Sequence, residues 1–289
     1  MSKNFILALI IIMLLPGISS ASQSLNLQGV GNARELGGYK TLDDKTIKHG
    51  LLLRTASLYK ATSGDIRKLT QDYNLAVIID FRLDFESKSE PDPVIDGVEN
   101  VKISTLDIDI NSSQAKKMIP YLARHDKVSM LIGAVKTGIM NKNLYVQILS
   151  SNSGKSGYKK MFEYLLELPE NKSLLFHCAQ GKDRTGLAAM LILSALNVDE
   201  NIIMSDYLLT NEFNAAKIER EREFVKTLSQ DPDESELLLL AMDYVSPELM
   251  NNALNYIKLN YGSVMNYITR ELGINDKQIN LLREKFLTR

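Results

Sequence analysis

The stretch His177-Cys178-Ala179-Gln180-Gly181-Lys182-Asp183-Arg184-Thr185-Gly186 constrains this chain more than any other. An apolar run, Leu174-Leu175-Phe176, precedes it, and a run rich in alanine, leucine and isoleucine follows from Thr185 to Leu196. The order reads as strand, tight loop, helix. Cys178 is the only cysteine in 289 residues, and Arg184 follows it six positions later. A thiol and an arginine are thereby set at a helix N-terminus, where unpaired N–H groups and a partial positive charge bind anions.

That placement implies a reaction class. A helix N-terminus and nearby cations favour thiolate over thiol, and the thiolate is the nucleophile. The backbone amides of Ala179, Gln180, Gly181, Lys182, Asp183 and Arg184 can cradle phosphate oxygens, and Gly181 allows the close turn. Arg184 offers a planar fork to two oxygens, which lysine would match less well. Thr185 can donate to the sulfur and ease its departure, and Gly186 completes the group expected around substrate. His177 is expected to order the loop. Hydrolysis of a phosphate monoester through a cysteinyl phosphate also needs a proton donor and later a base, and one carboxyl can serve as both. Asp80, at the end of an apolar run, and Asp183, inside the loop, are equal candidates. Asp206 is a third, with a structural role expected. Neither a metal nor another cofactor is required by this chemistry.

The first residues read as a leader. Lys3 gives a positive start, Phe5 to Leu15 is unbroken apolar sequence, and Ser19-Ser20-Ala21 offers small residues for cleavage. We therefore expect export, periplasmic or secreted, with residues 22–289 as one domain and no membrane span after cleavage. Of 34 basic residues, loss of Lys3 leaves 33 against 35 acidic ones, a net charge of −2. That balance argues against nucleic acid or an anionic membrane as the main partner, while leaving room for a local basic site. A lone cysteine in an exported chain has no internal disulfide partner, so an accessible, reactive thiol is expected.

Elsewhere the spacing predicts strands at Leu51–Arg54, Leu75–Ile79 and Val98–Ser104, and helices at Ser63–Asn74 and Tyr158–Leu168. Ser151 to Gly154 reads as a loop. Residues 111–153 show helical spacing and are read either as core helices or as a cover over the active site. Beyond Leu196 helices dominate, with Asp231-Pro232-Asp233 as an interruption. The expected fold is α/β, a central and mostly parallel sheet flanked by helices, with a helical C-terminal half.

Several further segments carry a resemblance. Asn32 to Gly38, Leu53 to Leu58, Val77 to Arg82 with Glu86, the Lys-Asp-Arg form of the loop, Asp206 to Asn211 and Tyr261-Gly262-Ser263 resemble the bacterial atypical tyrosine/dual-specificity phosphatases of the Cys-x5-Arg class, a branch with secreted mycobacterial and Listeria members. The resemblance implies a protein-tyrosine-phosphatase-like fold, some members having a helical lid. It implies Cys178 as nucleophile, Arg184 as phosphate clamp, Asp80 as general acid and Asp183 as a further participant, with Lys182 adding a cation to the loop. Substrates implied are phosphorylated protein and phosphoinositides. Three other functions fit parts of the sequence: an inositol polyphosphate (phytase-like) phosphatase, a non-catalytic phosphate-binding module, and a thiol redox protein. The module commonly lacks the cysteine or arginine, and the redox protein lacks a second cysteine here.

Overall fold

The computed structural model describes residues 23–106, 111–124 and 126–289. The leader expected at residues 1–21 lies outside the described residues. In chain order the elements are β1 (Arg34–Glu35), β2 (Leu52–Thr55), α1 (Ser63–Gln71), β3 (Leu75–Asp80), α2 (Asp84–Ser89), β4 (Glu99–Lys102), α3 (Ser113–Leu122), α4 (Lys127–Lys136), α5 (Leu144–Ser150), α6 (Asn152–Glu167), β5 (Ser173–His177), α7 (Asp183–Ala195), α8 (Glu200–Phe213), α9 (Ala215–Leu228), α10 (Pro232–Ala241), α11 (Pro247–Tyr261), α12 (Val264–Asn266) and α13 (Asp276–Phe286).

The strands form one sheet in the order β1-β2-β5-β3-β4. β1 is antiparallel to β2, and the other pairings are parallel. β5 is therefore central, with Thr55 and Asp80 both in register with His177. The carboxyl ends of β2, β3 and β5 lie along one edge, where an open α/β sheet presents its crevice.

Both faces of the sheet are buried, which explains the unbroken apolar runs. Side chains alternate along each strand. Leu52, Val77, Ile79, Leu174 and Phe176 join the larger core with α6, α7 and α11, whereas Leu53, Ile78 and Leu175 join a second core with Leu25, Leu58 and Leu69. A third, small cluster centres on Val225, Leu238 and Leu239, with Ile132 and Val135 of α4 against it.

Two loop expectations become helix starts, for one physical reason. Ser151 caps α6 by accepting from the Gly154 amide, and Asp231 caps α10 by accepting from Glu234, with Pro232 in the first turn. Serine, aspartate and an N1 proline mark helix entry as readily as they mark turns. Gly154 is required because a Cβ there would lie 1.8 Å from the Ile148 carbonyl oxygen at the end of α5. Within the helical C-terminal half, the short α12 is followed by a π turn, Tyr267–Glu271. Among the described residues no helix is long and apolar enough to cross a membrane.

Candidate active site

The loop between β5 and α7 sits at the carboxyl edge of the sheet, held from both sides. The Ser57 amide donates to the Ala179 carbonyl at 3.1 Å, and the Phe81 amide donates to the His177 carbonyl at 2.9 Å. Gly181 has φ +67°, and a Cβ there would meet the Thr55 carbonyl oxygen at 2.3 Å. No other residue fits without moving β2. The Gly181 carbonyl accepts from Asn32 Nδ2 at 2.9 Å and from Arg54 Nη2 at 3.0 Å.

These two donors belong to a buried network that gathers three of the segments singled out in the sequence. Asp206 accepts from Arg34 Nε at 3.2 Å and Arg54 Nη1 at 2.5 Å. Burial raises the Asp206 carboxyl, but the charges of Arg34 and Arg54 outweigh it and hold the group below its ordinary value. Burial and the Arg54 charge push Arg34 down to about 10, although Asp206 pulls the other way. Asp206 thus has the structural place expected for it. Losing one partner of such a buried pair costs about 3–5 kcal/mol.

Cys178 lies at the base of the loop and is 1% exposed, not accessible as expected for an unpaired exported thiol. Arg184 is the second residue of α7. Its Nη1 and Nη2 donate to the two carboxylate oxygens of Glu86 at 2.6 and 2.9 Å, and Nη1 also donates to the Phe81 carbonyl at 3.2 Å. A guanidinium has five N–H bonds. Three are used here, and the Nε–H and second Nη2–H that remain share one edge of the planar group. That edge is the geometry that grips two phosphate oxygens. Burial disfavours the Arg184 charge, but the Glu86 hydrogen bonds and the charges of Cys178 and Glu86 raise its pKa on balance. Glu86 is in turn held below its ordinary value: burial raises it, and the hydrogen bond and charge of Arg184 more than reverse that.

Asp80 and Asp183 have different surroundings. Asp80 is 3% exposed, and its two carboxylate oxygens accept from Arg82 Nε and Nη2, both at 2.9 Å. Asp92, between two prolines, completes a buried cluster. Its Oδ2 lies 2.7 Å from Arg82 Nη2 and 3.1 Å from His177 Nε2, the latter close but without the angle of a hydrogen bond. Its Oδ1 accepts from the Leu58 amide at 2.9 Å. His177 Nδ1 is 3.1 Å from the Cys178 carbonyl, so this cluster reaches the nucleophile's own backbone. One oxygen or nitrogen each of Asp80, Asp92 and His177 falls within 4.8 Å of the others, a grouping that could hold a cation. The Arg82 guanidinium already supplies that positive charge.

Asp183 is the first residue of α7, with a side chain 16% exposed. Its Oδ1 accepts from the Tyr145 hydroxyl at 2.8 Å, and Tyr145 pairs with the Tyr207 hydroxyl at 2.9 Å. Burial, and next the Asp183 charge, raise Tyr145 well above the ordinary tyrosine value, so its hydroxyl stays a donor. Tyr145 lies on α5, within the segment read as core helices or cover.

Lys182 differs from its sequence expectation. Its side chain is 1% exposed, and Nζ donates to the Leu240 and Tyr244 carbonyls at 2.5 and 3.1 Å, with Asp183 Oδ2 at 3.5 Å. The ammonium is engaged in fastening the loop to the end of α10 and the residues after it. Gly186 also differs: its amide donates to the Lys182 carbonyl at 2.8 Å inside the α7 ladder, and its Cα faces the Tyr207 ring. The Thr185 hydroxyl is buried without a partner, Cys178 Sγ included. Ala179 and Gln180 are half-buried at the mouth of the loop.

The connection that receives Lys182 carries a close carboxyl pair, Glu221 and Asp243. The Asp243 amide donates to Glu221 Oε2 at 3.2 Å, and Lys217 pairs with Asp243 at 2.6 Å. Burial, then the hydrogen bond and charge of Asp243, push Glu221 up to about 7. A carboxyl raised on folding contributes stability that is full below its unfolded value near 4.5 and is lost as pH rises through about 7. Glu221→Gln is therefore expected to be more stable than the parent by about 1 kcal/mol at about pH 8. Below the unfolded value the gain disappears. Urea unfolding at the two pH values checks this, and equal shifts at both would refute it.

Residues 25–288 match the sequence profile of the tyrosine phosphatase family. The chain belongs to that family. A Cupriavidus necator protein that carries the tyrosine-protein phosphatase name is 26% identical over 251 residues, covering 86% of this chain and 84% of that one. The triple specificity protein phosphatase PtpB of Mycobacterium tuberculosis is 28% identical over 127 residues, 40% of this chain and 44% of that protein. As a member of the tyrosine phosphatase family, the chain is a protein phosphatase, with the parallel-sheet fold described above.

Sequence reasoning gave no role to four residues of this tyrosine phosphatase site. Glu86 stood only beside the Val77 to Arg82 segment, and it holds Arg184. Asp92 lies between Pro91 and Pro93, which mark a turn and nothing more. Tyr145 carried no signal beyond its apolar neighbours, and Tyr207 stood only within the Asp206 to Asn211 segment.

Proposed function

We propose that this phosphatase hydrolyses phosphate monoesters of tyrosine-phosphorylated protein and of phosphoinositides, through a cysteinyl phosphate on Cys178. The observation that carries the mechanism is the Arg184 guanidinium, fixed by Glu86 with two N–H bonds left on one edge beside the Cys178 loop. The substrate dianion sits on that edge and on the α7 amides. Sγ attacks phosphorus in line with the ester oxygen, forming S–P and breaking P–O. Charge on the equatorial oxygens meets donors already in place, usually the largest catalytic contribution. The departing oxygen takes a proton from a carboxyl, and the same group then takes a proton from the water that breaks S–P. Asp183 is the better supported donor: it is partly exposed at the loop and oriented by Tyr145, whereas both Asp80 oxygens are committed to Arg82. The unpartnered Thr185 hydroxyl is suited to assist the sulfur as it leaves. Lys182, Gly186 and His177 act by holding the loop.

The phosphoinositide part rests on the Lys182-Asp183 pair shared with the resembled branch. We also propose export, from the leader-like first 21 residues. A panel of phosphotyrosine peptide, phosphatidylinositol monophosphate and phytate tests the substrate class. The first two are expected to turn over, unaffected by chelator, and phytate at least about tenfold more slowly. Phytate as the fastest substrate would replace this proposal with an inositol polyphosphate phosphatase.

A further inference from the structure

Charge is not spread evenly along this chain. Residues 111–142 contain six basic residues (Lys116, Lys117, Arg124, Lys127, Lys136 and Lys142) and one acidic residue, Asp126, a local charge of +5 in a chain of net charge −1. Five of these basic residues fall into two sets. Lys136 pairs with Glu234, and Lys142 pairs with Glu236 and Glu248, so these two tie α4 and its exit to α10 and α11. Lys116 and Lys117 on α3 form no salt bridge among the described residues, and Arg124, just after it, acts only through its charge on Asp126, the one acidic residue of the segment.

α3 is also the outermost helix of the molecule at this point. Its main packing is on α4, where Met118 and Tyr121 close over Gly133. The rest of its surface is open and is not what a solvated helix face requires. Ile119 is 60% exposed and Leu122 44%. At 100° per residue these two and Ala123 form one edge of the open arc, and Lys116, Arg124 and Lys117 continue it on the other. On the basic side lies a cleft of about 500 Å³ lined by Lys117, Pro120, Tyr121, Arg124, Lys136 and Thr137, none of them part of the Cys178 loop.

We propose that this face of α3 docks on an anionic phospholipid surface, with lipid phosphate taken up beside Lys117 and Arg124 and with Ile119 and Leu122 entering the acyl boundary. An apolar edge beside a cationic edge is the pattern of helices that lie in a membrane interface, and an anionic bilayer satisfies both edges at once. A second copy of the chain does not, because a two-fold contact would set the same cationic patch against itself. The docked face connects to the catalytic loop through packed elements: α4 rests on α10, and the Leu240 carbonyl at the end of α10 accepts from Lys182. Docking would concentrate the enzyme on surfaces that carry phosphorylated headgroups or membrane-bound phosphoprotein, which extends the substrate proposal above and rests on it.

Sedimentation with phosphatidylcholine vesicles, with and without phosphatidylglycerol, tests this. The full chain is expected to bind only the phosphatidylglycerol vesicles, and less as salt is raised. The pair Ile119→Ser with Leu122→Ser, and separately the trio Lys116→Glu, Lys117→Glu and Arg124→Glu, are each expected to reduce partition by at least about tenfold. Turnover of a soluble phosphotyrosine peptide is expected to stay within about twofold in both, a readout that also reports separately on the catalytic proposal. Equal binding to both vesicle types, no binding, wild-type partition by both variants, or capture of an acidic protein in place of vesicles would each overturn it.

Discussion

Serine at Cys178 is expected to lower turnover of a phosphotyrosine peptide by at least about 10⁴-fold while phosphate binding persists. The two halves of the result have separate causes in the structure. Binding depends on the α7 amides and on the Arg184 edge, which Glu86 fixes without help from sulfur. Turnover depends on the sulfur nucleophile, and a serine hydroxyl without an activating base is a far weaker one. The substitution is nearly isosteric at a buried position, so folding is expected to be retained. Steady-state kinetics with titration of vanadate or phosphate checks both halves. Retained turnover would remove the cysteinyl-phosphate mechanism, and lost binding with lost turnover would point to a collapsed loop.

The second large effect separates the two carboxyls that the sequence left equal. Asp183→Asn is expected to lower kcat by about 10²–10³-fold on a phosphotyrosine peptide, with the fold intact. The loss is expected to shrink on an activated aryl phosphate, whose leaving group needs no proton. Asp80→Asn is expected to act differently. It leaves the Arg82 guanidinium with one carboxylate, Asp92, in a buried site, at a cost of about 3–5 kcal/mol in stability. Any loss of activity should then be similar for both leaving groups. Thermal unfolding together with the two-substrate comparison decides the matter. A leaving-group-dependent loss in Asp80→Asn and not in Asp183→Asn would reverse the assignment.

What the sequence made legible was local. The strand, loop and helix around Cys178 were readable because thiol, amide cradle and arginine must be contiguous to act on one phosphate. The buried strands were readable because both faces of the sheet are covered. The partners that fix the site come from far along the chain: Glu86 is 98 residues from Arg184, and Tyr145 is 38 from Asp183. Nothing in a single sequence says which carboxylate an arginine will meet across a fold. Lys182 shows the converse. Its position beside the phosphate loop suggested a ligand, yet its ammonium is engaged by the Leu240 and Tyr244 carbonyls. Asp92 was hidden by its prolines, which signalled a turn correctly while masking the buried carboxylate between them. The family-like segments around Asn32, Arg54 and Asp206 were visible as motifs, but the meeting of Asn32 and Arg54 at the Gly181 carbonyl, with Asp206 holding Arg54 from behind, is a property of the sheet order.

The central claim is that phosphate passes through Cys178. Rapid acid quench of the Asp183→Asn variant with an activated aryl phosphate, whose leaving group needs no proton in the first step, followed by mass spectrometry of the Cys178 peptide, tests it most directly. Without a competent base for the second step the intermediate should accumulate, so phosphate is expected on Cys178 and on no other residue. Continued release of phosphate with an unmodified Cys178 peptide at every quench time would contradict it.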